Sequence, residues 1–225
     1  MEMIKHFAPK SLLLLATFTV LASAVYGQSG DPLTLIKEVQ SKTLSYDDQF
    51  IQFSMVIEAT REDGRKQQRR TSGQVQVVGK AALLTLQGQK IFFEETRLVT
   101  VSDDDEEIVV RKLDGDETQY TPASILKQYE SGSNFQWAGE ETLEDGVKIK
   151  YIRMKPKNDP EVRDIVLGIH MGTKRIYSYQ EFGTNDITTL LKIIQYDVNQ
   201  GTPASKVTFN RSNYPGYEYI APSGM

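Results

Sequence analysis

Between Asp31 and Tyr46 the apolar residues recur at helical spacing. Leu33, Leu35, Ile36, Val39, Leu44 and Tyr46 share one half of a 3.6-residue wheel, and Lys37, Glu38, Ser41, Lys42 and Ser45 share the other. Asp31 has the side chain of an N-cap and Pro32 suits the first helical position, so the pattern predicts a helix lying across a broad apolar surface. From Gln49 the period becomes two. Ile51, Phe53, Met55 and Ile57 alternate with Gln52, Ser54, Val56 and Glu58. An Asp63-Gly64 turn and a polar stretch follow, Val75 and Val77 resume the alternation, and Ala82, Leu84 and Leu86 lead into a Gln87-Gly88 turn. Further strands are predicted at 91–93, 98–101, 108–113, 147–154, 165–171, 175–182, 187–196, 206–209 and 217–220. Asp114-Gly115, Asp145-Gly146, Met171-Gly172 and Gly183-Thr184-Asn185-Asp186 supply turn chemistry at the joints. Strands joined by such short turns imply an antiparallel meander, because parallel pairing needs crossovers of about a dozen residues or more. One interruption is helical: Thr121-Pro122 reads as a cap followed by proline, Ile125, Leu126 and Tyr129 share a face, and Gly132 stands where a C-terminal glycine is expected.

Residues 1–27 have a different character. Lys5 and Lys10 precede an apolar run from Leu12 to Ala24, and small residues follow in Ala22-Ser23-Ala24 and Val25-Tyr26-Gly27. This is the order of a secretory signal peptide, and the run falls short of the roughly 20 residues of a membrane span. Cleavage is expected before Val25 or Gln28 and leaves residues 28–225, with 24 basic and 29 acidic side chains, as one domain. A chain of that size buries about 70% of its unfolded surface without a covalent staple, and it contains no Pro/Gly/Ser-rich linker and no repeat of fixed period.

Composition then narrows the chemistry. The 225 residues include no cysteine and two histidines, which excludes zinc-thiolate and iron-sulfur sites, disulfides and cysteine nucleophiles. His6 lies in the leader, and His170 sits in an alternating strand with no Ser or Asp at a motif spacing, so it reads as structural. A formal net charge of -4 favours neither nucleic acid nor a polybasic membrane adsorber. The acidic run 103–107 lacks the spaced ligands and glycine of a calcium loop and reads as a charged hairpin tip. Arg61, Arg65, Lys66, Arg69 and Arg70 cluster near the first hairpin, either as a solvated loop or as a docking patch for an acidic partner or anionic headgroups. Trp137 follows the second helix and is expected to pack at the sheet rim. No metal site, cofactor or catalytic residue emerges.

The order of parts is more telling than any single part. An amphipathic helix, a Phe-initiated strand hairpin, Ser72-Gly73-Gln74-Val75-Gln76-Val77, the acidic stretch 103–108, Thr121-Pro122-Ala123-Ser124-Ile125-Leu126, Val207-Thr208-Phe209-Asn210 and Tyr214-Pro215-Gly216-Tyr217 follow one another over almost the whole chain beyond the leader. This arrangement resembles the periplasmic lipoprotein carrier family LolA, in the variant common in Bacteroidetes. The resemblance implies a mainly β fold with α: an unclosed, curved antiparallel half-barrel whose concave apolar face is covered by lid helices. It implies a monomeric carrier that shields the acyl chains of lipoproteins between inner and outer membrane, with an inner-membrane releasing complex and an outer-membrane acceptor as partners. Two departures stand out. Where enterobacterial members have an Arg-Pro pair this chain reads Val78-Gly79-Lys80-Ala81, and a lysine cannot reproduce a planar bidentate fork. Ile108-Val109-Val110 stands where an aromatic strand is usual.

The physics of such a task points to the same residues. Each methylene withdrawn from water is worth about 0.8 kcal/mol, so an acylated protein needs an apolar shelter to cross an aqueous gap. Candidate lining residues are Phe53, Met55, Ile57, Val75, Val77, Leu84, Leu86, Leu191 and Ile193, with Leu35, Ile36, Ile125 and Leu126 from the helices. Alternation says which face is apolar, and plain core remains the alternative for each of them. Two rival functions are a regulatory module of related shape that senses lipids or lipoproteins, as in the RseB type, and a lipid-modifying enzyme with acidic residues. The first carries a second domain for which 198 residues leave little room, and the second finds no Gly-x-Ser-x-Gly elbow or His-Glu-x-x-His helix.

Overall fold

The computed structural model describes residues 30–60, 63–113, 134–156 and 160–222. The helix predicted at 121–132, with Ile125 and Leu126, lies outside these residues, as do Arg61 and the leader.

Helix α1 (Pro32–Leu44) begins as the sequence prescribes: the Asp31 carboxylate accepts the Leu33 amide at 3.1 Å and Pro32 opens the first turn. Leu35, Ile36, Val39 and Thr43 are buried, whereas Leu44, assigned to the apolar arc by the wheel, is 74% exposed. It lies in the last turn, where the Thr43 side chain packs inward instead and its hydroxyl donates to the Val39 carbonyl at 2.8 Å.

Apart from two 3-10 turns near the C-terminus, the remaining elements among the described residues form one 12-stranded sheet. Its strands are β1 (Asp48–Thr60), β2 (Lys66–Val78), β3 (Ala81–Leu86), β4 (Gln89–Phe93), β5 (Arg97–Ser102), β6 (Glu107–Lys112), β7 (Asn134–Thr142), β8 (Lys148–Lys155), β9 (Val162–His170), β10 (Arg175–Gly183), β11 (Thr188–Val198) and β12 (Glu218–Ile220). The spatial order is β12-β6-β5-β4-β3-β2-β1-β11-β10-β9-β8-β7. Two meanders, β1 to β6 and β7 to β11, are therefore joined through the antiparallel β1–β11 pair, and the edges β12 and β7 do not meet. The result is an unclosed, curved antiparallel half-barrel. One pairing departs from the expected meander: β12 runs parallel to β6.

Three further sequence readings need correction. Residues 134–142, which carry Trp137, are edge strand β7 rather than a segment trailing a helix. The strand expected at 206–209 is absent; Ala204–Lys206 is a single 3-10 turn introduced by Pro203, and Val207 and Phe209 are buried against the sheet instead of pairing in it. The polar stretch after Asp63-Gly64 is no loop, since Lys66 to Arg70 belong to β2.

Directly opposed residues in antiparallel strands point to the same side, so the registers define two faces. On the first, α1 lies over the second meander, and Leu35, Ile36 and Val39 pack with Ile152, Met154, Ile165, Leu167 and Ile169. Burying each such aliphatic side chain contributes about 1.5–3 kcal/mol. On the second face the C-terminal segment crosses the first meander. Phe209 packs with Phe92, Val99, Val101, Ile108 and Val110, and Tyr214, Tyr217 and Tyr219 lean on the same cluster. The second face of β4 to β6 is thus covered, whereas on their first face Phe93 is buried, Ile91 and Leu98 are half-buried and Val109 is exposed.

Candidate ligand-binding face

The site is built from the part of the first face that α1 does not occupy. Gln49, Ile51, Phe53, Met55 and Ile57 of β1 oppose Val77, Val75, Gly73, Thr71 and Arg69 of β2. Val77, Val75 and Gly73 oppose Ala82, Leu84 and Leu86 of β3, which in turn oppose Phe93, Ile91 and Gln89 of β4. On the other flank of β1, Phe53 and Met55 oppose Ile193 and Leu191 of β11. The candidates Phe53, Met55, Ile57, Val75, Val77, Leu84, Leu86, Leu191 and Ile193 thus lie on one face, continuous with the one that carries Leu35 and Ile36. Their environments differ. Phe53 and Val77 are 6% and 2% exposed and belong to filled core, as do Leu35 and Ile36 under the helix. Met55, Ile57, Val75, Leu84, Leu86, Leu191 and Ile193 remain half-buried.

Exposure follows a gradient along β1. Asp48, Gln49, Ile51 and Phe53 are buried, the inward-facing residues from Met55 onward are half-buried, and Thr60 is exposed. One end of the apolar trough is shut by a polar clasp. Tyr196 donates to Gln49 Oε1 at 2.7 Å, and Gln49 Nε2 donates to the Thr43 carbonyl at 3.3 Å. The Arg175 guanidinium lies 5.3 Å from the Tyr46 ring and 4.9 Å from the Tyr196 ring, and its Nη1 donates to the Tyr196 carbonyl at 2.8 Å. Burial pushes the Tyr196 hydroxyl up to about 12, so it stays a donor at every ordinary pH. Toward the tip of the β1–β2 hairpin no such clasp stands among the described residues, and exposure increases along β1.

At that end the register Arg69, Ile57, Thr189, Glu181 runs across β2, β1, β11 and β10 on the first face. Tyr179, one register step deeper, donates its hydroxyl to the Glu181 carboxylate. Alternation alone does not disclose these polar groups, because they are brought beside the apolar residues only by strand pairing.

The basic cluster resolves into separate contacts. Arg65 pairs with Asp63 at 3.3 Å and Lys66 with Glu58 at 2.8 Å. The hydrogen bond between the last two, more than their charge, raises the lysine pKa and lowers that of the glutamate. Arg69 donates to the neutral Gln87 side chain at 3.0 Å, and Arg70 opposes Val56 on the second face. Lys80 is exposed and pairs with Glu95 at 3.2 Å. The acidic run is the β5–β6 turn, where Asp103 accepts from Lys90 at 2.6 Å. His170 ends β9, and its Nδ1 accepts the Thr173 amide at 3.1 Å in a turn-forming role. Trp137 packs against the core beneath α1 and donates to the Gly30 carbonyl at 3.1 Å, fastening the chain just before the helix. A groove of about 560 Å³ on the solvent side of α1, bordered by Lys37, Lys42 and Lys174, is separate from the trough.

No protein-family model matches the chain, and no curated protein is significantly similar to it in sequence. Solved structures are similar in fold. An uncharacterized conserved protein from Thermus thermophilus superposes with a TM-score of 0.54 at 10% identity, over 85% of this chain and 100% of that one. A DUF1329 family protein from Desulfovibrio piger gives a TM-score of 0.43 at 12% identity, over 82% and 100% of the respective chains. A LolA superfamily protein from Nitrosomonas europaea gives 0.41 at 9% identity, over 80% and 99%.

Proposed function

We propose that this protein is an exported, periplasmic carrier without a catalytic step, which shelters the acyl chains of lipoproteins on the part of its apolar sheet face that α1 leaves uncovered, during transfer from inner to outer membrane. The observation that carries this reading is the contrast within one face. Beneath α1 the inward side chains Ile152, Met154, Ile165, Leu167 and Ile169 are 0% exposed. Their counterparts Met55, Ile57, Leu84, Leu86 and Leu191 on the same face keep contact with solvent. A fold that only needed a core would gain by covering them, since exposed apolar area costs about 25 cal/mol per Å². A carrier needs such a surface and needs it adaptable, so that affinity is moderate and cargo can be handed on; Met55 and the leucines suit irregular hydrocarbon.

The leader pattern supports export, and an inner-membrane releasing complex and an outer-membrane acceptor are the partners such a route requires. The test uses protein secreted by its own leader. N-terminal sequencing is expected to find Val25 or Gln28 first; an intact Met1 on exported material contradicts the export reading. The purified chain is expected to bind a fluorescent fatty-acid analogue in the micromolar range and to release it to acylated but not to deacylated lipopeptide. Displacement by the deacylated peptide, or turnover of an ester or glycosidic substrate that is lost on mutating an acidic pair, overturns the proposal.

A further inference from the structure

We infer that the open end of the apolar trough is a head-group site for an anionic amphiphile, with Arg69 as its ligand. This rests on the trough binding hydrocarbon at all and goes beyond the lipoprotein reading by adding a second ligand class, an amphiphile whose anionic head lies at the open end.

The trough has a direction. At the Gln49 end the side chains are buried and the Tyr196, Gln49 and Arg175 clasp closes it, whereas exposure increases toward Met55 and Ile57. A hydrocarbon tail gains by covering the half-buried residues as far in as the filled end at Phe53 and Val77, which leaves the polar head beside the last apolar row. That row holds Arg69 directly opposite Ile57. β2 is paired with β3 only over Gly73 to Val78, so among the described residues no strand pairs with β2 at Arg69 on that side. Its side chain reaches back to the β3–β4 turn and donates to Gln87 at 3.0 Å. The guanidinium is thereby held at the rim by a neutral partner, with no carboxylate neutralising it among the described residues.

The neighbouring charges are accounted for differently. Lys66 and Arg65 have Glu58 and Asp63 as partners. Arg70, next in sequence, opposes Val56 on the second face and cannot reach the same head. Glu181 shares the row with Arg69, but lies beyond Ile57 and Thr189, on the order of 14 Å away across three strand spacings, and it accepts the Tyr179 hydroxyl. A carboxylate or phosphate beside Ile57 therefore meets an unneutralised guanidinium, whose planar fork suits both oxyanions. Either a free fatty acid or a phosphate-headed lipid supplies that chemistry.

Four twelve-carbon probes, each below its aggregation threshold, separate the outcomes: dodecanoate, dodecyl phosphate, dodecanol and dodecyltrimethylammonium, titrated by displacement of a fluorescent probe. Both anions are expected to bind more tightly than dodecanol, and the tighter of the two identifies the head preferred. Arg69→Gln is expected to weaken the anions about tenfold, the loss of one charge-assisted contact, while leaving dodecanol and the melting temperature unchanged. Arg69→Lys is expected to restore part of the difference, and Arg70→Gln to change nothing. Equal binding of anionic and neutral probes, equal effects of Arg69→Gln and Arg70→Gln, or tightest binding of the ammonium probe overturns the inference and leaves the trough standing. Failure of dodecanol and the rest alike to bind the unaltered protein overturns the trough itself.

Discussion

Gly73 lies directly across from Phe53, and the space a side chain would fill at Gly73 is taken by the Phe53 ring. A Cβ added there would stand 2.7 Å from Phe53 Cζ, 2.9 Å from the Thr85 carbonyl oxygen and 3.0 Å from Leu86 Cδ1. The ring can swing, but the backbone oxygen of β3 cannot without disturbing the β2–β3 ladder. Gly73→Ala is therefore expected to destabilise the fold by about 1–3 kcal/mol, the usual cost of overpacking. Urea denaturation measures it, and an unchanged midpoint would show that β3 yields freely.

A second expectation concerns acid. Asp48 opens β1 and accepts from the amides of Gln200, Gly201 and Thr202 and from the Thr202 hydroxyl, at 2.9–3.2 Å. It thus fixes the point where the chain leaves β11 to cross the second face. Burial acts to raise its pKa, and the hydrogen bonds from Gln200, Thr202 and Gly201 together outweigh burial, so the carboxyl titrates below its ordinary value of 3.8. A depressed folded-state value means that the charged form stabilises the fold. That contribution is complete above the ordinary value and disappears as pH falls through the lower, folded-state one. Asp48→Asn is expected to melt lower than the unaltered protein at pH 7, with the gap closing at pH values below 3.8. Parallel melting curves across that range check the sign.

The clasp at the closed end gives a third expectation. Arg175 lies over both Tyr46 and Tyr196, donates its Nε to the Tyr46 hydroxyl at 3.3 Å, and ties the C-terminal end of α1 to the sheet. Arg175→Ala is expected to cost about 1–2 kcal/mol, in the range of partly desolvated cation–π contacts, and to speed hydrogen exchange in the last turn of α1. Arg175→Lys is expected to recover little, because a compact ammonium cannot face two rings and a carbonyl together. Equal exchange in all three proteins would remove the arginine from this role.

These particulars show what sequence can and cannot disclose. The face shared by Phe53, Met55, Val75, Leu84 and Leu191 was readable, because a period of two assigns sides before any pairing is known. Which of them are covered was not, since the position of α1 over β8 and β9 is decided by tertiary packing. The alternation of Val207 and Phe209 was real but ambiguous: two side chains facing one way satisfy a strand or a segment laid across a sheet, and Pro203 with its 3-10 turn chooses the second. Strand β7 escaped because its alternation is short. Phe135 and Trp137 face the core, and the register then slips between Trp137 and Gly139. Arg69 was visible as one of a basic cluster, but only the β1–β2 register separates it from Arg70 and sets it beside Ile57.

The decisive measurement concerns Met55, which opposes Leu191 and Thr71 on the open half of the face, and Ser54, which opposes Lys192 and Ser72 on the other. Acyl binding and unfolding are followed on the same preparations of Met55→Glu and Ser54→Glu. If the trough is open, a carboxylate at 55 finds water, so Met55→Glu is expected to stay folded and lose acyl binding while Ser54→Glu keeps both. A Met55→Glu protein that unfolds, with the several kcal/mol loss expected of an unpartnered buried charge, or one that binds acyl chains undiminished, would contradict the carrier.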